Sequence, residues 1–301
     1  MRNRRNNFGF LRYLCTKFRE ISMKRFLIVF FAVALLMFSC TGNKAGQADG
    51  TDADSVADTS EVAETDTLEL LITETPMPRA ADAMFDDFIF NFAANKRLQK
   101  ERIIFPLRQT EAGKTTTIDK NHWQMEHFFM RQGYYTLLFN NEQEMALMKD
   151  TAVSEAVVEK IQLKKNRVTN YLFQRIRGAW MLKGIQVTTI PENANADFLT
   201  FYQKFVTDSA FQVKSLNETV DFVGPDPDDD FNMMEGVITP DTWEAFAPTL
   251  PGKVLYNIVY GKAQPSGNEK IFLLRGVANG LELELRFKKV GEKWKLMKMT
   301  T

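Results

Sequence analysis

Two segments with the same aromatic spacing decide the fold of this chain: FDDFIFNF at residues 85–92 and FLTFYQKF at residues 198–205. In both segments, phenylalanines stand at positions i, i+3 and i+7, which is the spacing of one face of an α-helix. Gln99 and Gln212 continue the match at the same offset of 113 residues. The chain therefore contains an internal repeat, and each unit begins with an amphipathic helix.

The remainder of each unit also recurs in order. Trp123 recurs as Trp243, and Phe173 recurs as Phe287. We expect a short helix around each of these two tryptophans, begun by Asp119 in the first unit and by Thr239-Pro240 in the second. Alternating apolar residues predict strands for the rest. The predicted strands are Arg102–Leu107, Tyr134–Phe139, Val157–Leu163, Val168–Ile176 and Trp180–Thr188, then Thr219–Val223, Val254–Tyr260, Ile271–Val277, Leu281–Phe287 and Trp294–Thr300.

Helices followed by antiparallel strands indicate the α+β class. The predicted architecture is two tandem cone-type domains at residues 79–190 and 191–301, each with N-terminal helices packed on a curved antiparallel sheet. This order resembles the nuclear-transport-factor-two-like fold, and the closing Trp180-Met-Leu and Trp294-Lys-Leu resemble the ends of that superfamily. The region from Arg79 to Thr301 is similar to uncharacterised Bacteroides-type lipoproteins that carry tandem domains of this kind. The resemblance implies a fold and a surface location, and it supplies no catalytic residue. From the repeat itself, we expect the two units to pack as an intramolecular pseudo-dimer.

The N-terminal region has the pattern of an export signal. Lys24-Arg25 precede an apolar run of 13 residues, Phe26 to Phe38, and Ser39-Cys40 follow it. That run is shorter than the roughly 20 residues needed to cross a bilayer. The end of the segment resembles the bacterial lipoprotein signal, which implies lipid attachment at Cys40 and a membrane anchor. We therefore expect residues 1–22 to be a start extension upstream of the true start, residues 23–39 to be the signal peptide, and the protein to be held in the cell envelope, on the periplasmic side or at the surface of the outer membrane.

Residues 40–78 are expected to form a disordered acidic tether between the lipid and the folded region. Between Thr41 and Glu69 there are eight acidic residues against Lys44 alone, and this composition is too poor in apolar residues to form a core. From Leu70 onward the chain carries 29 basic and 29 acidic residues. A neutral folded region without a basic stripe argues against nucleic acid as a partner.

The aromatic residues of the repeat are candidates for the wall of a ligand cavity. In the first unit these are Trp123, Tyr134, Tyr135 and Phe173, and their counterparts in the second unit are Trp243, Tyr256 and Phe287. Aromatic stripes of this kind also form plain cores, and that alternative is favoured. The resemblance to ketosteroid-isomerase-like enzymes implies a buried carboxylate as base. In such enzymes an acidic hydroxyl or carboxyl group stands opposite the base. Asp86, Asp87 and Tyr134 are the residue types available for this pair, although capping and solvent exposure are the simpler roles for the two aspartates.

No metal, cofactor or catalytic residue is predicted. His122 and Glu126 are spaced by four residues, but His127 falls on another face of a helix, so the pair of histidines expected of a zinc site is missing. The sequence therefore predicts a cell-envelope lipoprotein that acts as a non-enzymatic binding or interaction module, with an envelope protein as one class of partner. The alternatives are a binder of a small apolar ligand within the cone and an acid–base enzyme of the isomerase or dehydratase kind.

Overall fold

We describe a computed structural model of the chain at residues 77–226, 229–264 and 267–301. The predicted start extension at residues 1–22, the signal at residues 23–39, the lipidated Cys40 and the tether up to residue 76 lie outside the described residues. The described residues all belong to one compact unit that begins at Ser60. Within them, no helix has both the length and the apolar character required to cross a membrane.

The same succession of elements occurs twice: two helices, two strands and then four further strands. The α-helices are α1 (Phe85–Ala94), α2 (Lys96–Glu101), α3 (Glu142–Ala146), α4 (Ala196–Phe205) and α5 (Ser209–Lys214). The strands are β1 (Ile103–Glu111), β2 (Lys114–Ile118), β3 (Tyr134–Phe139), β4 (Glu155–Gln162), β5 (Arg167–Ile176), β6 (Ala179–Thr188), β7 (Leu216–Asp226), β8 (Asp229–Ile238), β9 (Val254–Tyr260), β10 (Glu269–Gly276), β11 (Glu282–Val290) and β12 (Lys293–Thr300). The prediction of an α+β class is confirmed.

All the strands form one sheet in the order β2-β1-β6-β5-β4-β9-β3-β10-β11-β12-β7-β8. Five strands from the first half of the chain lie on one side, and five from the second half lie on the other. The two central strands are interchanged between the halves, because β9 pairs antiparallel with β4 while β3 pairs antiparallel with β10. β3 and β9 run parallel to each other and share a single bridged pair, Thr136 and Asn257.

The central strands separate two hydrophobic cores. On β10, Ile271 and Leu273 belong to the core that contains α1, whereas Phe272 and Leu274 belong to the core that contains α4. Successive residues of a strand point to opposite faces of its sheet. The helices of the two halves therefore pack on opposite faces of the shared sheet, and we call these the first core and the second core.

The aromatic stripes explain why each helix packs where it does. In the first core Phe88 and Phe92 are fully buried, and the ring of Phe92 lies 5.3 Å from that of Phe173. In the second core Phe205 lies at the same distance, 5.3 Å, from Phe287. Both ring pairs are edge-to-face, a favourable arrangement for aromatic side chains. The predicted helical stripes at residues 85–92 and 198–205 thus form the centres of the two cores.

A buried hydrogen bond accounts for the recurrence of glutamine and tryptophan in the repeat. The indole N–H of Trp123 donates to Gln99 Oε1 at 3.0 Å, and that of Trp243 donates to Gln212 Oε1 at 2.9 Å. A buried indole N–H normally requires such an acceptor. Gln99 lies on α2 and its bond ties that helix to the segment that leads into β3. Gln212 lies on α5 and its bond ties that helix to the segment that leads into β9.

Two expectations about local structure were wrong, and two strands were not expected. The segment around Trp123 is a series of turns and Trp243 begins a short 3₁₀ turn, Trp243–Ala245, so neither tryptophan lies in the predicted helix. The Gln99 and Gln212 side chains, rather than helical periodicity, hold these segments in place. The strands β2 and β8 were not predicted, because Lys114–Ile118 is almost wholly exposed and lacks an apolar face.

Candidate functional site

The described residues form a half-open cleft of about 730 Å³, which we call the central cleft. It lies where the ends of β3 and β9 meet the turn that precedes α4. The lining residues are Leu138, Phe139, Asn140, Asn141, Gln143, Glu144, Leu147, Glu159, Ala194, Asn195, Ile258, Val259, Tyr260, Gly261, Lys262, Ala263, Gln264 and Gly267. Amide and carboxylate side chains form much of this wall, alongside two aromatic residues.

Glu159 on β4 is the most buried acidic residue of the central cleft. Its two carboxylate oxygens accept hydrogen bonds from the side-chain amides of Asn193, at 2.7 Å, and Asn257, at 2.8 Å. Burial raises the pKa of Glu159, and the two amides and the charge of Lys270 act in the opposite direction. Asn257 also accepts the backbone N–H of Leu138 at 2.9 Å, so Glu159 is linked to both interchanged strands.

Lys270 on β10 lies behind the central cleft with its ammonium group directed at two lining residues. Its Nζ donates to Asn140 Oδ1 and to Asn195 Oδ1, and the side chain is almost completely buried. Burial lowers the pKa of Lys270 to about 8, against the opposing effect of Glu144, Glu159 and other carboxylates. A buried ammonium of this kind is destabilising unless it is well paired.

The position of Glu144 in the wall follows from a local turn. Asn141 begins α3, and its side chain accepts the backbone N–H of Glu144 at 2.9 Å, as expected of a helix N-cap. The Glu144 carboxylate turns back and accepts the backbone N–H of Asn140 at 2.7 Å and its side-chain amide at 2.9 Å. This turn fixes a carboxylate and an amide at the mouth of the cleft.

The polar set of the central cleft has an apolar counterpart on the opposite face of the sheet. In the repeat, β4 corresponds to β10 and β9 corresponds to β3. Glu159 on β4 pairs with Asn257 on β9, and at the equivalent positions Leu273 on β10 pairs with Leu137 on β3. Likewise Lys270 pairs with Phe287, where Ala156 pairs with Phe173 in the other half. Glu159, Asn257 and Lys270 are therefore replaced at the equivalent positions of the other half by leucine, leucine and alanine. These apolar residues lie in the first core, on the opposite face of the sheet. The fold itself can be built without these polar groups.

The predicted aromatic wall residues lie in the two cores. Trp123, Tyr135, Phe173 and Tyr256 belong to the first core, Trp243 and Phe287 belong to the second core, and Tyr134 packs against the second. Tyr134 was expected in the first unit and packs against the second core, whereas Tyr256 was expected in the second unit and lies in the first core. Both differences arise because β3 and β9 are interchanged. All except Tyr134 are buried. Their role in an apolar ligand cavity stays a prediction.

The candidate acid–base residues are not brought together. Asp87 is exposed on α1, whereas Asp86 is turned toward the sheet and accepts a hydrogen bond from the hydroxyl of Tyr260. Burial raises the pKa of Asp86, and the bond to Tyr260 opposes that rise. Tyr260 is on β9, so this contact also joins the first helix to a strand from the second half. Sequence reasoning singled out Asp86 but missed Glu159 and Lys270, whose only signal is a charged residue beside apolar residues of a strand.

The described residues contain no group of three or more His, Cys, Asp or Glu side chains placed to hold a metal ion. His122 is exposed, with Nδ1 3.8 Å from a carboxylate oxygen of Asp119. Glu126 is directed inward, where its carboxylate accepts hydrogen bonds from Lys160 on β4 and Tyr171 on β5. The spacing of His122 and Glu126 therefore does not bring the two side chains to one site.

Comparisons with known proteins connect the chain to a family. Residues 64–301 match the family described as "Domain of unknown function (DUF4348)". The crystal structure of an NTF2-like protein from Bacteroides fragilis is 42% identical in sequence and aligns with a TM-score of 0.68, over 75% of this chain and 98% of that chain. No curated protein matches.

Proposed function

The chain belongs to the DUF4348 family and is similar in fold to an NTF2-like protein, and from this premise we propose that it is a non-enzymatic binding protein whose central cleft holds a small polar molecule. The observation that carries the proposal is the substitution of a polar set for an apolar one. Buried Glu159 and Lys270 reduce stability relative to the leucine and alanine found at the matching positions. Polar groups that the fold does not need, placed at a cleft of about 730 Å³, are typical of ligand recognition.

The chemistry of the wall indicates the class of ligand. Asn140, Asn195 and Gln143 offer amide groups, Glu144 and Glu159 offer acceptors, and Phe139 and Tyr260 stand among them. Such a mixture suits a ligand that carries several hydroxyl groups, because hydroxyls both donate to carboxylates and accept from amides. An uncharged, hydroxyl-rich molecule of the size of a mono- or disaccharide is the proposed ligand class.

An acid–base enzyme is the second candidate, and one observation favours it. Glu159 lines a cleft and has a raised pKa, as a general base in such an enzyme does. However, both of its oxygens accept amide hydrogens from Asn193 and Asn257, which orients the carboxylate for holding rather than for proton abstraction. Binding is therefore the primary proposal.

We further propose that the protein is a lipid-anchored component of the cell envelope, attached through Cys40 and separated from the membrane by the acidic tether. The lipoprotein-like signal at residues 23–39 supports this proposal. The stretch from Thr41 to Asp66 contains 26 residues, and a flexible chain of that length spans roughly 25–30 Å. The anchor would therefore keep the central cleft close to the membrane surface.

The two repeats, residues 79–190 and 191–301, are proposed to be tandem NTF2-like domains that form an intramolecular pseudo-dimer by exchanging β3 and β9. The strand order supports this proposal, because each exchanged strand completes the sheet of the other half. The connection from β9 to β10 needs to pass only one intervening strand, a distance of about 10 Å. We expect the purified protein to have the solution mass of a monomer, and a mass twice that value would contradict the pseudo-dimer.

Calorimetric titration with a panel of neutral mono- and disaccharides tests the binding proposal on a fragment of residues 60–301. We expect saturable binding by at least one sugar, lost in Glu159→Gln and retained in Glu126→Gln. The two variants are matched, because each removes the charge of one glutamate that is hydrogen-bonded to strand residues, and only Glu159 lines the central cleft. Binding that survives Glu159→Gln, or no binding across the panel, would argue against the proposal. Turnover of a bound sugar would instead favour the enzyme.

A further inference from the structure

A second cleft, of about 390 Å³, opens beside the first core, and we call it the side cleft. It lies between the turns that precede β3 and the strands β4 and β9. Its lining residues are Met125, Glu126, His127, Phe128, Arg131, Gln132, Lys160, Val254 and Tyr256. None of these residues lines the central cleft, so the two cavities are separate.

Four hydrogen-bond donors converge on one carboxylate in the side cleft. Glu126 Oε2 accepts the hydroxyl of Tyr171 at 2.8 Å and Lys160 Nζ at 3.1 Å. Glu126 Oε1 accepts the backbone N–H of Phe128 at 3.2 Å, with the hydroxyl of Tyr256 and Lys160 Nζ slightly further away. These donors come from three strands and a turn. Together they surround the carboxylate as a protein surrounds a bound organic acid.

The electrostatics of the side cleft favour an anion. Burial acts to raise the pKa of Glu126, but the bonds from Tyr171, Lys160 and the Phe128 N–H outweigh it, so the pKa is lowered. The pKa of Lys160 is raised, because its contacts with Tyr256 and Glu126 outweigh the effect of burial. Arg131 adds a further positive charge to the wall. The donors therefore hold a negative charge in preference to a neutral group.

The other half of the chain lacks this arrangement. By strand register, Leu274 stands at the place of Lys160, Leu285 at that of Tyr171 and Thr136 at that of Tyr256. The hydroxyl of Thr136 donates to the backbone carbonyl of Tyr256 at 3.0 Å. The second core thus packs with leucines where the first has an amine and a phenol, and the polar donors are not a requirement of the fold.

The backbone at Glu126 is held independently of its side chain. Gln99 donates to the carbonyl of Glu126 at 2.7 Å and accepts its N–H at 3.1 Å. The same glutamine accepts the indole N–H of Trp123. The turn therefore stays anchored when the Glu126 carboxylate is removed or swings away, which leaves the donors grouped around a vacated position.

We propose that Lys160, Tyr171, Tyr256 and the Phe128 N–H form a binding site for the carboxylate of a small organic acid, and that Glu126 occupies this site as a built-in competitor. An external carboxylate binds when the Glu126 side chain moves out into the open part of the side cleft. The site is thus kept closed against weak ligands, and it admits only an acid that makes additional contacts with the wall, such as with Arg131.

Chemical rescue tests this proposal on residues 60–301. In Glu126→Ala, sodium acetate is expected to raise the melting temperature saturably, with half-saturation in the millimolar range that a ligand of four heavy atoms can reach. Sodium chloride at the same ionic strength is the control and is expected to have little effect. The double variant Glu126→Ala/Lys160→Met is expected to lose the response. Equal responses to acetate and chloride, or an acetate response that persists without Lys160, would overturn the proposal.

A second variant covers the case in which Glu126→Ala does not fold. Glu126→Gln retains the volume of the side chain but removes its charge, so the amide is a weaker partner for Lys160. Acetate is expected to reach half-saturation at a concentration at least tenfold lower in Glu126→Gln than in the unaltered fragment. The same half-saturation concentration in both proteins would show that Glu126 does not compete for the site.

Discussion

The buried ammonium of Lys270 allows a quantitative prediction about pH. The side chain is only 1% exposed, and burial lowers its pKa from 10.5 to about 8. In the unfolded chain, the ammonium is fully hydrated and titrates at its ordinary value of about 10.4. The native state therefore binds this proton more weakly than the unfolded state does.

The sign of the effect follows from proton counts. Below about pH 8, Lys270 is protonated in both states, and its contribution does not depend on pH. Between about pH 8 and pH 10.5, only the unfolded state retains the proton, so the free energy of unfolding rises with pH. From the two pKa values, the contribution of Lys270 increases by about 2 kcal/mol between pH 8 and pH 10.

Urea unfolding of residues 60–301 and of the Lys270→Met variant at pH 8, 9 and 10 measures this increase. Methionine has a similar length to lysine and no charge. In the variant, the cost of leaving Asn140 and Asn195 without their Lys270 partner does not vary over this pH range. Tyrosines that titrate near pH 10 contribute equally to both proteins and cancel. We expect the stability of the unaltered fragment relative to the variant to rise by about 2 kcal/mol. A difference that is flat with pH would refute the assignment of Lys270 as a desolvated ammonium.

Three further outcomes are expected. Tyr260→Phe should lower the free energy of unfolding by about 1–3 kcal/mol in urea at pH 7, because Asp86 is left buried without its hydroxyl donor; an unchanged value would mean that solvent replaces the bond. Gln99→Leu should destabilise the protein more than Gln212→Leu in the same assay. The Gln99 side chain makes four hydrogen bonds, whereas among the described residues the Gln212 side chain makes one, with Trp243; equal losses would contradict this reasoning. Metabolic labelling with palmitate should disappear in Cys40→Ala, and labelling that persists would rule out the lipoprotein assignment.

The internal repeat shows how far local patterns extend. The phenylalanine spacing predicted α1 and α4, and the structure places those stripes in the two cores. The match of Gln99 with Gln212 and of Trp123 with Trp243 marked a buried hydrogen bond, although its geometry was invisible in the sequence. Helices around the tryptophans were predicted wrongly, because a side-chain bond rather than backbone periodicity holds those segments.

The candidate sites were harder to predict. Glu159 follows the apolar pair Val157-Val158, and Lys270 precedes the apolar run from Ile271 to Leu274. Charged residues at such positions are a weak signal, because the sequence does not show which residues they face. Their meaning emerges only from register, since the matching positions in the first core are Leu273 and Ala156. The donors around Glu126 come from three strands that are remote in sequence. No local spacing could have grouped them.

By itself, the sequence determined the α+β class, the repeat and the faces of the main helices, because each of these depends on spacings within a few residues or on a constant offset. Only the tertiary structure decided the exchange of β3 and β9 and the positions of the two clefts. The segments YYTLLF at residues 134–139 and VLYNIVY at residues 254–260 are similarly apolar, so either could pair with β4 on local grounds. The choice between them depends on contacts between residues that are far apart in the chain, such as the bonds of Asn257 with Glu159, 98 residues away, and with Leu138, 119 residues away. Those contacts exist only once the sheet is assembled.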